Sequence, residues 1–337
     1  MKISIAMTTY NGEKYIEKQL QSLISQSVLA DEVIIADDCS KDNTASIVKN
    51  FIQKNNLINW NFYVNNDNLG FVKNFKNVIN KTTGDIIFLC DQDDIWMPEK
   101  LESIKGLFFE NPQAMAINSS FNFIDGDDKA FEVSQKKDTS NQNLIQYTIN
   151  KGALEKVSFN TIIRYNISPG CTMAFRKDIK EILFNQNEFE IPHDWEINLI
   201  ACANDGLYFY NKSLINYRIH NSNTIGIETD GDNNPLKISG DYYKRIQVLK
   251  CQKNLSELLK MPLYYNNAIK RDKKYILHFL KYVKLREEIF FNNKKFNWFK
   301  LWGHVPYIKQ DNTVKTILGD LAFMLNVQKA FQKNDKN

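Results

Sequence analysis

Asp85-Ile86-Ile87-Phe88-Leu89-Cys90-Asp91-Gln92-Asp93-Asp94 is the most telling stretch of the chain. Five apolar residues in unbroken succession, acidic at both ends, are too few for a helix and show no alternation of faces. They match a strand covered on both sides, as in a parallel sheet. Similar short apolar runs occupy 3–7, 32–36 and 61–64 upstream and 114–124 downstream. Between them lie segments of helical period: Tyr15, Ile16, Leu20, Leu23 and Ile24, then Ile47, Val48, Phe51 and Ile52, then Val72, Phe75, Val78 and Ile79. Pro98 is expected to open a fourth helix, at the first-turn position that tolerates proline. Strand alternating with helix is the pattern of an α/β fold around a mostly parallel, Rossmann-like sheet.

Further along, 127–158 is polar and reads as an insertion over the active edge of the sheet. Helices are expected near 177–183 and 194–203 and a strand near 207–210. Residues 221–235 carry linker chemistry, rich in Asn, Asp, Gly and Thr. The last hundred or so residues read as helices without strand alternation. The expected organisation is therefore a domain over 1–226 and a helical extension over 236–337.

In the 337 residues, 43% hydrophobic and 24% charged content excludes wholesale disorder and low-complexity architectures. No run reaches the ~20 apolar residues of a bilayer-spanning helix, and the short apolar N-terminus lacks a signal-peptide pattern. A cytoplasmic location is expected. The net charge of +4 hides an asymmetry: 236–337 holds 21 basic against 8 acidic residues, and 1–235 holds 22 against 31. A basic, aromatic-rich tail suits an anionic surface or is a solvated helical face. Five scattered cysteines without a C-x-x-C pair give no zinc or redox spacing and read as small buried hydrophobes.

Ligands of open α/β sheets bind outside the carboxyl ends of the strands. Those ends carry Thr8-Thr9-Tyr10-Asn11-Gly12, Asp37-Asp38-Cys39-Ser40 and Asp91-Gln92-Asp93-Asp94. Neither G-x-G-x-x-G nor G-x-x-x-x-G-K-[ST] occurs, which argues against a dinucleotide Rossmann enzyme and a P-loop nucleotidase. Asp91, Asp93 and Asp94 would repel one another unless a cation neutralises them. Hard oxygen ligands suit Mg2+ or Mn2+, with substrate phosphates filling the remaining positions. Helix capping is the other account, although a cap needs one carboxylate. Asp37-Asp38 is also ordinary turn chemistry. An acid there would accept from a base N–H or a ribose hydroxyl, and Tyr10 would stack on the base or pack in the core.

These pieces, with Asn68-Leu69-Gly70 and Asp91-Gln92-Asp93-Asp94-Ile95-Trp96, resemble glycosyltransferase family 2 in order and spacing over residues 1 to about 226. His193-Asp194-Trp195 and Tyr217-Arg218-Ile219-His220-Asn221 are most similar to its bacterial rhamnosyltransferase-like members. The resemblance implies a GT-A fold and inverting transfer from a nucleotide-diphospho-sugar, with Mg2+ or Mn2+ as cofactor. It also implies a role for each matching residue. Thr8, Tyr10 and Asp38 would hold the nucleoside. Lys73 would reach the diphosphate or be a solvated helix lysine. Asp91 and Asp93 would hold the metal and diphosphate. Asp194 would be the general base, a role compatible with N-capping the helix behind it. Arg218 and His220 would contact the diphosphate, or His220 would be structural. Trp195, Gly170 and Cys171 would border the acceptor.

The implied activity is transfer from a UDP- or dTDP-sugar, dTDP-rhamnose among them, to a saccharide acceptor carried on a membrane lipid, in capsule, O-antigen or cell-wall assembly. A nucleotidyltransferase would carry a Gly-rich, Arg-containing loop after the first strand, which 8–12 lacks. A non-catalytic nucleotide-sugar-binding protein would have no use for Asp194. The tail shows no nucleic-acid recognition motif. Beside an anionic leaflet, Lys294-Lys295-Phe296-Asn297-Trp298-Phe299-Lys300-Leu301-Trp302 interleaves basic and aromatic residues as an interfacial segment would, so peripheral contact with the inner face of the membrane is expected.

Overall fold

Strands β1 (Ile3–Thr9), β2 (Glu32–Asp37), β3 (Trp60–Val64) and β4 (Ile86–Cys90) pair in parallel in the order β3-β2-β1-β4. The structure is a computed structural model. It describes residues 1–132, 148–163, 166–184, 191–220, 273–290 and 294–308, with single positions 292, 314, 317, 318, 320 and 321. The chain divides into two units, Met1–Asn187 with Pro192–Thr229, and Glu188–Ile191 with Asp230–Asn337.

In the first unit the connections between these strands are helices α1 (Ile16–Ile24), α2 (Thr44–Lys54) and α3 (Phe71–Lys81). Each turns one apolar face inward: Ile16, Leu20 and Leu23 on α1, Val48 and Phe51 on α2, Phe75, Val78 and Ile79 on α3. All of β1 and β4 is buried, the polar Ser4, Thr8 and Thr9 of β1 included. Each fully buried Ile, Leu or Phe side chain contributes about 1.5–3 kcal/mol, so this α/β core is what holds the strand ends in place.

Beyond β4 the sheet becomes mixed. The two-residue β5 (Ile95–Trp96) is followed by α4 (Lys100–Glu110), β6 (Ala116–Ile124), β7 (Ala130–Phe131), β8 (Leu154–Lys156) and α5 (Phe159–Ile162). After a 3-10 turn at Gly170–Thr172 come β9 (Met173–Arg176), α6 (Lys177–Phe184), α7 (His193–Ala203) and β10 (Leu207–Arg218). β9 inserts antiparallel between β4 and β6, and the order runs β3-β2-β1-β4-β9-β6-β10-β5. The expected helix at Pro98 starts two residues later, at Lys100, because Pro98 and Glu99 form a turn after β5. The expected strand at 207–210 runs to Arg218, with register shifts against β6 at Tyr210/Ser213 and Ser213/Asn216. The motif Lys136-Lys137-Asp138, Cys251 and the linker stretch 221–235 lie outside the described residues. Cys90, Cys171 and Cys202 are buried and Cys39 half-buried, all as free thiols.

In the second unit α8 (Lys273–Phe290) buries Ile276, Phe279, Val283, Arg286 and Ile289 at helical spacing. Arg286 on that stripe forms a two-bond ion pair with Asp320, at 2.7 and 3.0 Å. In α9 (Trp298–Leu301), Trp298 and Leu301 point inward and Trp298 Nε1 donates to Ile317 O at 2.8 Å. Phe296 and Phe299, 87% and 69% exposed, point outward. No described helix is long and apolar enough to cross a membrane.

Candidate active site

A cleft of about 400 Å³ opens at the C-terminal ends of β1, β2 and β4, closed on its other side by the Gly170 turn and the start of α7. Thr8, Tyr10, Asp38, Asp91, Asp93, Gly170 and Asp194 all line it, so seven of the sequence-derived site residues meet in one place. A Rossmann-like sheet does this by geometry, since parallel strands bring the loops that follow them to one edge.

The loops after β1, β2 and β4 are tied together by side chains. Gln92 clamps the backbone of Tyr10, accepting its N–H at 2.8 Å and donating to its carbonyl at 2.9 Å. A Cβ on Gly12 would run into that Gln92 carboxamide. Tyr10 itself is half-exposed, free to offer its ring. Asp38 is buried, and its carboxylate accepts the backbone N–H groups of Leu69 and Gly70, each at 2.8 Å. Gly70 sits at φ +77° and ψ 157°, a conformation essentially confined to glycine, immediately before α3. Asp38 therefore shapes the Asn68–Gly70 loop as well as lining the cleft.

The acidic cluster is held from behind. Asp91, Asp94 and the Cys171 thiol have ligand atoms within 4.8 Å of one another. Burial raises the Asp91 carboxyl well above the carboxylate range, and Asp94 and Asp93 add to it. Burial and then Asp93 push Asp94 up to about 7. Under this cluster lies fully buried Lys100, whose Nζ donates to Cys171 O at 2.6 Å and sits 3.7 Å from the Trp96 ring centroid. Burial lowers its pKa to about 8. Closely spaced carboxylates at a cleft are a donor set that fits a hard divalent cation. Asp91 and Asp93 reach the cleft, whereas Asp94 and Cys171 are buried behind it. His220 Nε2 lies 2.8 Å from Asp93 Oδ2, its ring 4.8 Å from that of Tyr15.

Three sequence expectations need correction. Arg218 is fully buried, and its guanidinium faces protein groups instead of the cleft: Nε donates to Asp93 O at 2.6 Å and Nη1 to Asp125 O at 2.8 Å, with Asp128 Oδ1 2.6 Å away. Its own N–H donates to Asp94 Oδ1 at 3.1 Å. It braces the acidic turn. Trp195 points away from the cleft, its indole N–H donating to Ile162 O at 2.7 Å. Cys171 lies behind Gly170 with its side chain buried. Lys73 stands exposed on α3 beside the cleft-lining Asn74, a placement that either of its two readings allows.

Asp194 is the second residue of α7, so it does not N-cap that helix. Its Oδ1 accepts the Trp195 N–H at 2.8 Å and its Oδ2 accepts from Asn166 Nδ2 at 2.7 Å. Asn166 in turn accepts from Asn198 at 2.8 Å, and Asn118 donates to Asn198 at 2.7 Å. Burial, partly offset by these bonds, pushes the Asp194 carboxyl up to about 6. A carboxylate poised near neutrality and fixed by a buried amide relay is equipped to accept a proton. Sequence reasoning missed the relay, Gln92 and Lys100. For the relay the signal was a polar residue inside an apolar element, Asn118 in β6 and Asn198 in α7.

Comparison with known proteins follows the same outline. The family model described as Glycosyl transferase family 2 matches residues 4–183. The dTDP-rhamnosyl transferase RfbG of Shigella flexneri is 30% identical over 236 residues, covering 65% of this chain and 73% of that protein. The structure of Staphylococcus aureus TarS 1–349 in complex with UDP-GlcNAc superposes with a TM-score of 0.58 at 18% identity, covering 99% of this chain and 92% of that one. The mannosyltransferase PcManGT from Pyrobaculum calidifontis, in complex with GDP-Man and Mn2+, gives 0.50 at 15% identity, covering 98% and 83%. The structural likenesses show the fold.

Proposed function

The chain belongs to glycosyltransferase family 2, and on that premise we propose that it is an inverting enzyme transferring a sugar from a UDP- or dTDP-sugar, dTDP-rhamnose first among them, to a saccharide acceptor. The observation that carries this is the placement of Asp194 on one wall of a cleft whose other wall presents Asp91 and Asp93.

Inverting transfer is one displacement at the anomeric carbon. The acceptor oxygen bonds to that carbon, the bond to the diphosphate oxygen breaks, and the acceptor proton leaves for a base. Asp194 takes that proton: a carboxylate offers about four lone pairs, and the bonds from Trp195 and Asn166 fix its orientation toward the acceptor hydroxyl. Asp91 and Asp93 would hold Mg2+ or Mn2+, which when bound supplies positive charge to the departing diphosphate. His220 orients Asp93, and Arg218 fixes the turn that carries both acids. Tyr10 offers a stacking face to the base. Thr8 and the Asp38-held loop bound the nucleoside end.

The acceptor in this proposal is lipid-linked and the product part of a bacterial surface polysaccharide. Phe296 and Phe299, turned outward among Lys294, Lys295 and Lys300, support contact with an anionic leaflet. A panel of UDP- and dTDP-sugars tests the reaction: one donor should be turned over with release of nucleoside diphosphate and inversion at the anomeric carbon, and chelation should stop it. Release of pyrophosphate would overturn this assignment, and full activity in excess chelator would overturn the metal's part in it. Binding to phosphatidylglycerol vesicles at low salt, lost in phosphatidylcholine alone, tests the surface.

A further inference from the structure

His193, beside the base, carries a feature that the reaction above does not use. It lines the cleft yet is only 4% exposed, and neither ring nitrogen has a hydrogen-bond partner among the described residues. Native structures rarely leave buried polar atoms unpaired, so such a group in a cleft wall points to a ligand. The ring is held firmly. It stacks on Phe75 with centroids 4.2 Å apart, and Phe71 meets it edge-on at 6.4 Å.

Space for a ligand is kept open by Gly170, another cleft residue. A Cβ built there would lie 3.5 Å from His193 Nε2 and 3.2 Å from Asp194 Cβ. Burial, and then the charge of Lys76, lowers the His193 pKa to about 3, so the imidazole is neutral. Lys76 itself pairs with Glu196 at 3.0 Å. A neutral imidazole has one donor and one acceptor nitrogen. A hydroxyl has the same pair of capacities, and the exposed Phe71 ring suits the C–H face of a sugar.

We propose that His193 binds a sugar hydroxyl in the part of the cleft bounded by Gly170 and Asp194, orienting the substrate beside the base. This rests on the glycosyl-transfer assignment above. The hydroxyl belongs to the donor sugar or to the acceptor, and the two are separable by assay. In the full-length protein, His193→Phe keeps the aromatic stack and removes both nitrogens, while His193→Gln restores an amide donor and acceptor. Hydrolysis of dTDP-rhamnose and UDP-N-acetylglucosamine without acceptor reports the donor. Transfer to octyl β-glycosides reports the acceptor.

Loss of one neutral hydrogen bond should raise the KM of the substrate concerned by about three- to tenfold in His193→Phe, with partial recovery in His193→Gln. The affinity for UDP should stay within about twofold, because the nucleoside end of the cleft is built from other residues. A raised KM in hydrolysis assigns the donor sugar, and one confined to transfer assigns the acceptor. Wild-type KM and kcat in His193→Phe would overturn the inference, as would a matching fall in UDP affinity, which would mean that the cleft wall had merely shifted. Absence of turnover of any nucleotide sugar by the wild type would instead strike the glycosyl-transfer assignment, and this inference with it.

Discussion

Replacing Asp194 with Asn should remove the reaction while making the fold less sensitive to pH. The Asp194 carboxyl is buried, and its pKa moves from an ordinary 3.8 to about 6. That change corresponds to about 3 kcal/mol of stability withdrawn once the group is ionised. The sign follows from the direction of the shift. A raised pKa means that the native state holds the proton more tightly than the unfolded chain, so the favourable contribution is complete below about pH 4 and is lost as pH rises through 6. An amide at this position would carry no such dependence. It would still accept the Trp195 N–H but would turn an NH2 group toward Asn166 Nδ2, whose own oxygen is already engaged by Asn198. This donor–donor contact lowers the stability of the variant by an amount that does not vary with pH. The comparison therefore lies in the slope: the stability of Asp194→Asn relative to wild type should rise by about 2 kcal/mol between about pH 4.5 and pH 8. Urea unfolding at several pH values reads this directly. Transfer should fall by about 10²–10⁴-fold, with nucleotide binding retained, and the wild-type kcat/KM should decline on the acid side with an apparent pKa near 6. Parallel stability curves for the two proteins, or transfer by the variant within about tenfold of wild type, would refute the assignment of Asp194 as a buried base.

Gly12→Ala should displace Gln92 from the Tyr10 backbone, and two lost hydrogen bonds at about 1 kcal/mol each predict about 2 kcal/mol lower stability in denaturant unfolding. Arg218→Met removes the donors to Asp93 O and Asp125 O, while Asp128 keeps Lys18 as a partner, and should cost about 2–4 kcal/mol in denaturant unfolding. Arg218→Lys should not rescue it, because an ammonium lacks the fork that spans Asp93 O and Asp125 O; a diphosphate-binding arginine would instead give a stable variant with a raised donor KM. In the second unit Arg286→Met should be destabilising by about 3–5 kcal/mol, and pairing it with Asp320→Leu should recover much of the loss. Trp195→Phe should retain kcat and KM and lose about 1 kcal/mol of stability with its bond to Ile162 O.

The α/β class, the positions of β1 to β4 and the acids at their ends were all legible in the order of residues alone. These depend on local patterns: an unbroken apolar run makes a two-sided strand, and in a parallel sheet the residue after the run falls at the ligand-binding edge. Which neighbours in the chain share the cleft was decided only by the folded arrangement. On β10, Tyr217 lines the cleft while Arg218 turns into the interior. Successive strand residues face opposite ways, and the register shifts at Tyr210/Ser213 and Ser213/Asn216 set which of them does so. No pattern in the sequence specifies those shifts. On α7 the turn of about 100° per residue gives Asp194 to the cleft and Trp195 to Ile162. The asparagine relay likewise joins Asn118, Asn166 and Asn198, which are far apart in the chain. Local periodicity says where a face is; only packing says what that face meets.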